Sequence, residues 1–444
     1  MPVIDRVMLR GFQIPLKRPG RPRIAISHEF VELYRGDKDL RVGKILCQDY
    51  GCEIVHLGTD IASPADSRVF NTKRYPVEHL GPLPEDYHLL LMRTRLVTHR
   101  RGNISLGGFF RWTPGITSEL LRWQPDLILE NPYLTLTPRS YSTMAVSRKL
   151  GIPLVYLDCG DIISKLALKH KLVLPFERRI ARQAAHIITY NREGKKRFVW
   201  KYGIAENKID VIPKPVDISQ FKRRKDVVGF RSRFGLEGKF VVAYFGRLCT
   251  NKGARYLLDA ADILRQRGHA DDVVFLFVGG NLEADQAAEF KAHLERLKLD
   301  NVRLTGMMQH DDMPQAYAAT DVAVFPDLTN LPAFPTVLAE TMAAGLPIVI
   351  GIKGWEDATH IVNGETGFVI EARNPILIAD RLELLRSHAA LRRRLSDNVA
   401  TYASEHMDYP RVVARYYEIF KKLIPGHKVL ANVDESRSFT PASF

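Results

Sequence analysis

The sequence predicts an α/β protein made of two successive domains, each a doubly wound sheet of parallel strands. Three observations carry that expectation. Short β-rich runs alternate with longer helical ones along most of the chain, with Gly or Pro at the joints. The rhythm breaks once, at the proline-containing stretch IPKPVDISQFKR that begins at Ile212, and then restarts. The 444 residues, 45% of them apolar, are enough for two or three domains with cores of their own.

In the first half the strands read PRIAIS, EIVHLG, DLILEN, PLVYLD and HIITY. Helices are expected near residues 38–50 and 138–150 and in the amphipathic stretch from Pro175 to Ala185. After the linker come KFVVAYFG, a helix from Ala254 to Gln266, VVFLFVGG and NVRLTG. A short helix opened by Asp311, Asp312 and Pro314 follows, then DVAVFP, LPIVIG and GFVIEA. In the 254–266 helix Leu257, Leu258, Ala261, Ile263 and Leu264 form an apolar stripe, and Gly268 lies just beyond its end. After GFVIEA the chain reads mainly as helix to about residue 423, with the leucines of RLELLRSHAALRRRL at helical spacing. The expected units are residues 1–212, residues 213–404, a helix over 405–425 returning to the first domain, and a mobile tail over 426–444.

Composition excludes several classes. Cys47, Cys52, Cys159 and Cys249 are too few and too scattered for a disulfide framework or a zinc knuckle, which points to a reducing compartment and no metal. The N-terminus does not read as a leader, and no stretch is apolar enough over 18 residues to span a bilayer. A cytoplasmic protein, peripheral on the inner membrane face or free of it, is therefore expected. P-loop and G-x-G-x-x-G fingerprints are missing.

Of the net charge of +14, +13 falls in residues 1–210, so the first domain is expected to face something anionic. Two stretches interleave bases with aromatics: residues 93–112, with Phe109, Phe110 and Trp112, and residues 195–201, with Phe198 and Trp200. The mixture suits an anionic bilayer, at about 1 kcal/mol per cation. It suits single-stranded nucleic acid as well, or aromatics that are simply buried. No recognised nucleic-acid module accompanies the charge, so no specific nucleic acid is expected.

Ligands of doubly wound sheets bind beyond the carboxyl ends of the strands. There the second half places Gly246-Arg247-Leu248 and Asn251-Lys252-Gly253, a glycine for close backbone approach and two cations suited to a phosphate. Further on, Phe334-Pro335-Thr336-Val337 opens a helix of small residues whose free N–H groups can receive a diphosphate. Glu340 lies on the same helix face as Thr336.

These blocks, with VIPKPVDISQF, YFGRL…NKG, VRLTGMM and AFPTVLAETMAAGLPIVIG in order, resemble glycosyltransferase family 4, a retaining group with the GT-B fold of two facing Rossmann-like domains. The resemblance covers about residues 205–425. It implies transfer of a sugar from a nucleotide-diphosphate sugar, with no metal and no other cofactor. Arg247 and Lys252 would then neutralise the diphosphate, helped by the N–H groups of Thr336 and Val337, with Gly246, Phe334 and Pro335 shaping the site. Glu340 would hold the ribose and Met307 would contact the base. The acceptor, a lipid-linked or other anionic glycan, would lie on the basic first domain. Asp158, Asp161, His28 and Arg35 are the candidates on that side.

The chain departs from the family in four places, the first being SHEFVELYRGD where a glycine pair often follows the first strand. Pro332 stands where the first glutamate of the Glu-x7-Glu motif is usual, which leaves Asp327 or Asn330 to take its role or leaves a catalytically silent binding partner. LDCGD lacks the histidine usual over the sugar. Lys214-Pro215 replaces the linker's Asn-Gly pair.

Overall fold

The computed structural model describes residues 14–28, 38–60, 82–93, 95–96, 111–131, 138–158, 167–222, 227–249, 252–269, 271–280, 284–328, 334–353 and 359–425. Arg35, Asp161, Asn330 and Pro332 lie outside them, as do the side chains of residues 93–112.

The first domain alternates as the sequence pattern requires. Its elements are β1 (Arg23–His28), α1 (Lys38–Tyr50), β2 (Glu53–Asp60), β3 (Tyr87–Arg93), a small antiparallel pair β4 (Arg95–Leu96) and β5 (Arg111–Trp112), then α2 (Ile116–Trp123) and β6 (Leu127–Asn131). There follow α3 (Pro138–Leu150), β7 (Leu154–Asp158), α4 (Ala167–Ala181), β8 (His186–Thr189), α5 (Arg192–Tyr202) and β9 (Ile209–Val211). The sheet is parallel throughout, in the order β3-β2-β1-β6-β7-β8-β9. β1, β6 and β7 are nearly continuous apolar runs because helices cover both faces of such a sheet.

The second domain repeats the plan. After α6 (Ile218–Lys222) and α7 (Val227–Phe234) come β10 (Phe240–Phe245), α8 (Ala254–Gln266), β11 (Val273–Val278), α9 (Ala284–Leu297), β12 (Val302–Gly306), α10 (Met313–Ala318) and β13 (Val322–Phe325). α11 (Thr336–Ala343), β14 (Ile348–Ile352), β15 (Gly367–Glu371), α12 (Pro375–Ser387), α13 (Ala389–His406) and α14 (Tyr409–Leu423) complete it. The parallel order is β12-β11-β10-β13-β14-β15. α8 begins and ends where the leucine stripe predicts, with Leu257, Leu258, Ala261 and Leu264 buried beneath it.

The chain winds one way from β1 and β10 and the other way from β6 and β13, so each sheet has a switch point at its centre. These two crevices are where the fold offers room for ligands.

The linker and the C-terminal helix both join the domains. The linker is more ordered than its prolines suggest: Val216 donates to the Met407 carbonyl at 2.8 Å, and α6 follows at once. α14 lies on α1, with the Tyr50 and Tyr417 ring centroids 4.3 Å apart and the Arg41 guanidinium 5.1 Å from the Tyr409 ring centre. Arg41 also pairs with Asp217 of the linker at 2.6 Å. The sequence pattern passes over β3 and β9, which are edges of the sheet, over the small pair β4–β5, and over the helices α2, α5, α6, α7 and α9.

Candidate active site

At the end of β10 the backbone turns through Gly246, at φ 144°. The neighbouring strand end is just as tight: a Cβ on Gly279 would lie 2.0 Å from the Gly246 carbonyl oxygen, so no larger residue fits there. Arg247 emerges exposed from this turn, its carbonyl held by the Tyr244 hydroxyl at 2.7 Å. The chain then folds back so that Gly253, at φ 72°, opens α8 against β13. A Cβ on Gly253 would come within 2.8 Å of the Asp327 Cβ. Lys252 is thereby held between Arg247 and Asp327. Burial, together with the Arg247 charge, lowers its ammonium pKa to about 8. Among the described residues neither Arg247 nor Lys252 has a carboxylate within ion-pair distance.

Asp327 acts on Lys252, its charge favouring the ammonium, and it is also paired elsewhere. It is fully buried and accepts from Arg373 Nε at 2.5 Å. This bears on the role left open by Pro332, because Asp327 is already committed to Arg373. Asn330, the other stand-in, lies outside the described residues.

The second part of the site is α11. Pro335, in extended conformation, stops the helix on its N-terminal side, and its carbonyl accepts from both Leu338 and Ala339. The N–H groups of Thr336 and Val337 precede the first intrahelical bond and point out of the helix end, the usual station for an anion. The Thr336 hydroxyl accepts from Lys214 Nζ of the linker, so a further cation stands at that end. Phe334 is buried, with its ring against His360 at 5.3 Å between centroids.

Glu340 is 4% exposed and accepts from the Tyr317 hydroxyl at 2.8 Å. His310 Nδ1 is 3.6 Å from its other oxygen. Burial raises its pKa to about 7, against the opposing pull of Tyr317 and of the Lys214 charge. The Tyr317 ring stacks on Phe245 at 4.2 Å, so the Gly246–Arg247 turn and Glu340 are linked through two aromatic rings. Met307 follows β12 and is 54% exposed; a Cβ on Gly280 would lie 2.8 Å from its Cγ. Gly246, Arg247, Lys252, Met307, Thr336, Val337 and Glu340 therefore all belong to the carboxyl edge of one sheet. Tyr317, His310, Lys214, Arg373 and His360 join them, and the sequence reading gave none of these five a part in the site.

The first domain's switch point is built differently. His28, at the end of β1, sits 2.8 Å from Asp39 of α1, and Asn131, at the end of β6, donates to the same carboxylate at 2.9 Å. Lys38 donates to the Asn131 side chain at 3.2 Å and to the Tyr190 hydroxyl at 2.6 Å. Burial works against the Asp39 charge, but Lys38 and His28 overcome it and hold the carboxyl below the ordinary range. Burial likewise lowers the pKa of His28. Asp158, at the end of β7, is buried in a pair with Arg197 of α5 at 2.5 Å. His28 and Asp158 thus sit at strand ends as expected, each with a protein partner.

Of the second basic and aromatic stretch, Phe198 is fully buried and Trp200 is 83% exposed. Among the described residues no helix is long and apolar enough to cross a membrane.

Comparison with known proteins agrees with this architecture. Residues 77–220 match the family model "Glycosyltransferase Family 4", and residues 239–388 match "Glycosyl transferases group 1". The chain is 28% identical over 298 residues to the mannosylfructose-phosphate synthase of Agrobacterium fabrum, covering 66% of this chain and 62% of that protein. It is 28% identical over 250 residues to the spore coat protein SA of Bacillus subtilis, covering 54% and 65% respectively. The matches thus span less than two thirds of the length of these relatives. Two solved structures share the fold. Anabaena HepE in complex with UDP has a TM-score of 0.67 at 20% identity, covering 90% of this chain and all of that one. The sucrose-phosphate synthase of Thermosynechococcus elongatus has a TM-score of 0.69 at 16% identity, covering 91% and 99%. With one family model on each domain and the two sheets of a GT-B protein between them, the chain belongs to the group 1, family-4 type glycosyltransferases.

Proposed function

We propose that this protein transfers a sugar from a nucleotide-diphosphate sugar, with retention of anomeric configuration, to a glycan acceptor held on the first domain. The observation that carries the reading is the pair of cations Arg247 and Lys252, which among the described residues have no carboxylate within ion-pair distance, at the β10–β13 switch point, in the same sheet edge as the open N-terminus of α11. An anion fits there, and a diphosphate spans cations and helix dipole together. Glu340, one oxygen of which accepts from the Tyr317 hydroxyl, would use its other for the ribose hydroxyls, and Met307 borders the place for the base. HepE was solved with UDP and with UDP-glucose, which supports a donor of this chemical class.

In the reaction the bond between the sugar's anomeric carbon and the diphosphate oxygen breaks, and its electron pair stays on the diphosphate. Arg247, Lys252 and the α11 N–H groups stabilise that charge as it grows, which is the electrostatic work a bound metal would otherwise do. The acceptor hydroxyl bonds to the same face of the sugar and its proton passes to the departing diphosphate. No resident cofactor is required by this scheme.

The excess of positive charge in the first domain suits a lipid-linked or otherwise anionic acceptor, as in polysaccharide or glycolipid synthesis at the cytoplasmic face of a membrane. The exposed Trp200 supports that placement. Sedimentation with vesicles should show binding to anionic but not neutral lipid, weakened by salt and by Trp200→Ala; equal binding to both lipids contradicts it.

One observation favours a second reading, a catalytically silent partner that binds nucleotide-sugar without turning it over. Pro332 removes a carboxylate, and Asp327 is committed to Arg373. Release of nucleoside diphosphate from UDP-, GDP- and ADP-sugars decides between the two. Turnover lost in Arg247→Ala supports the enzyme. Saturable binding without release or transfer supports the silent partner.

A further inference from the structure

His360 has no part in the donor chemistry, yet it holds an uncommon conformation. It sits at φ 56°, in the left-handed region that residues bearing a Cβ rarely adopt. Its Nε2 is 2.5 Å from the carbonyl oxygen of Tyr190, at the end of β8 in the first domain. A carbonyl can only accept, so Nε2 carries the proton. Nδ1 is then free to accept from the Tyr402 hydroxyl of α13 at 3.0 Å. Burial lowers the pKa of the ring to about 4, and the neutral imidazole is the form these two bonds require.

The same ring meets Phe334 edge to face, two residues before α11 begins. Tyr190 in turn receives Lys38 on its hydroxyl, and Lys38 belongs to the His28–Asp39–Asn131 cluster. A chain of contacts therefore runs from the first domain's switch point, through Tyr190 and His360, to the segment that presents the α11 N–H groups.

We propose that His360 is a positioning residue that fixes the Phe334–α11 segment of the second domain against the first domain, so that the donor's diphosphate end and the acceptor crevice are held in one register. The kinetic consequence rests on the donor-site reading; the structural consequence does not. Arg247 and Lys252 belong wholly to the second domain. Loss of His360 should therefore weaken diphosphate binding only through the α11 N–H groups and impair most the step that needs both domains.

The test titrates UDP, GDP and ADP into wild type, His360→Ala and His360→Gln, and follows nucleoside diphosphate release from the matching nucleotide-sugars. The Ala variant is expected to bind the diphosphate within about threefold of wild type while turnover falls at least about tenfold, the usual scale of a small misplacement. Gln, whose amide can still donate to the Tyr190 carbonyl, should recover most of it. Unaltered turnover in Ala, equal loss of binding and turnover, or no difference between Ala and Gln overturns the proposal. Should the Ala variant not fold, Tyr402→Phe removes only the hydroxyl. It should lower turnover about threefold at unchanged diphosphate affinity, in line with one neutral hydrogen bond, and full turnover overturns the proposal. If the wild type binds or turns over none of these compounds, the donor reading fails on its own. Amide hydrogen exchange in His360→Ala then decides: joint acceleration around residue 190 and over residues 334–336 sustains the positioning role, and unchanged exchange in either segment overturns it.

Discussion

The two switch points of this molecule share a topology and differ in how their charges are used. In the first domain Asp39 is surrounded by His28, Lys38 and Asn131, and Asp158 is locked to Arg197. In the second, Arg247 and Lys252 have no counter-ion among the described residues, and the nearby carboxylate, Asp327, is turned to Arg373. The same β-α-β winding thus makes an ionic network in one place and, in the other, leaves two cations without a described ion pair, where the donor site is proposed. Fold alone therefore does not locate the donor site. It gives two crevices, and charge without a described ion pair selects one of them.

That contrast predicts opposite outcomes for similar substitutions. The largest effect is expected in the ionic network. Asp158→Ala leaves the Arg197 guanidinium buried without its carboxylate and should cost about 3–5 kcal/mol of stability, while nucleoside diphosphate affinity in protein that still folds stays near wild type. Denaturant unfolding read beside calorimetry checks this; a stable variant with lost affinity would place the site in the wrong domain.

Next in size is Arg247→Ala, which removes an exposed cation that has no carboxylate partner among the described residues. Stability should hardly move, whereas turnover of the nucleotide-sugar should fall about 10²–10³-fold, the usual loss for one electrostatic stabiliser of a leaving group. Unchanged turnover in a variant of a working enzyme would remove Arg247 from the site.

The smallest effect is a pH dependence. Burial and the Arg247 charge lower the pKa of Lys252 from its ordinary 10.5 to about 8, so the unfolded chain holds this proton more tightly than the folded one. Folding is therefore opposed below about pH 8, and that penalty fades as pH rises from about 8 towards 10.5. A bound diphosphate reverses the balance by favouring the ammonium. Binding should take up protons near pH 8 and hardly any near pH 6.5, which calorimetry in buffers of different ionisation enthalpy detects. Equal uptake at both values would exclude Lys252 as the titrating group.

Much of this was legible in the sequence, for physical reasons. A buried parallel strand must be apolar on both faces, so β10, β11, β13 and β14 announce themselves as VVAYF, VVFLFV, VAVF and IVIGI. Once strands are placed, the residues after them are the candidates, which is how Gly246, Arg247, Lys252 and the start of α11 come forward. What sequence could not give is who partners whom. Tyr317 reaches Glu340 from 23 residues away, and His360 reaches Tyr190 from 170 residues away. Neither contact leaves a local pattern. Nor does sequence distinguish the aspartate that serves a ligand from the one that serves the fold: Asp327 and Asp158 both sit just past strands, and only their arginine partners reveal that each is taken.

The central claim is that the open cations of the second domain hold a diphosphate. Calorimetric titration of uridine-, guanosine- and adenosine-diphosphate sugars into the full chain and into Lys252→Ala tests it most directly. The account predicts saturable binding of one base class to the wild type and at least about tenfold weaker binding to the variant, the loss expected for a charge-assisted contact. Wild-type affinity in Lys252→Ala, or no binding of any of the three by folded wild-type protein, would contradict it.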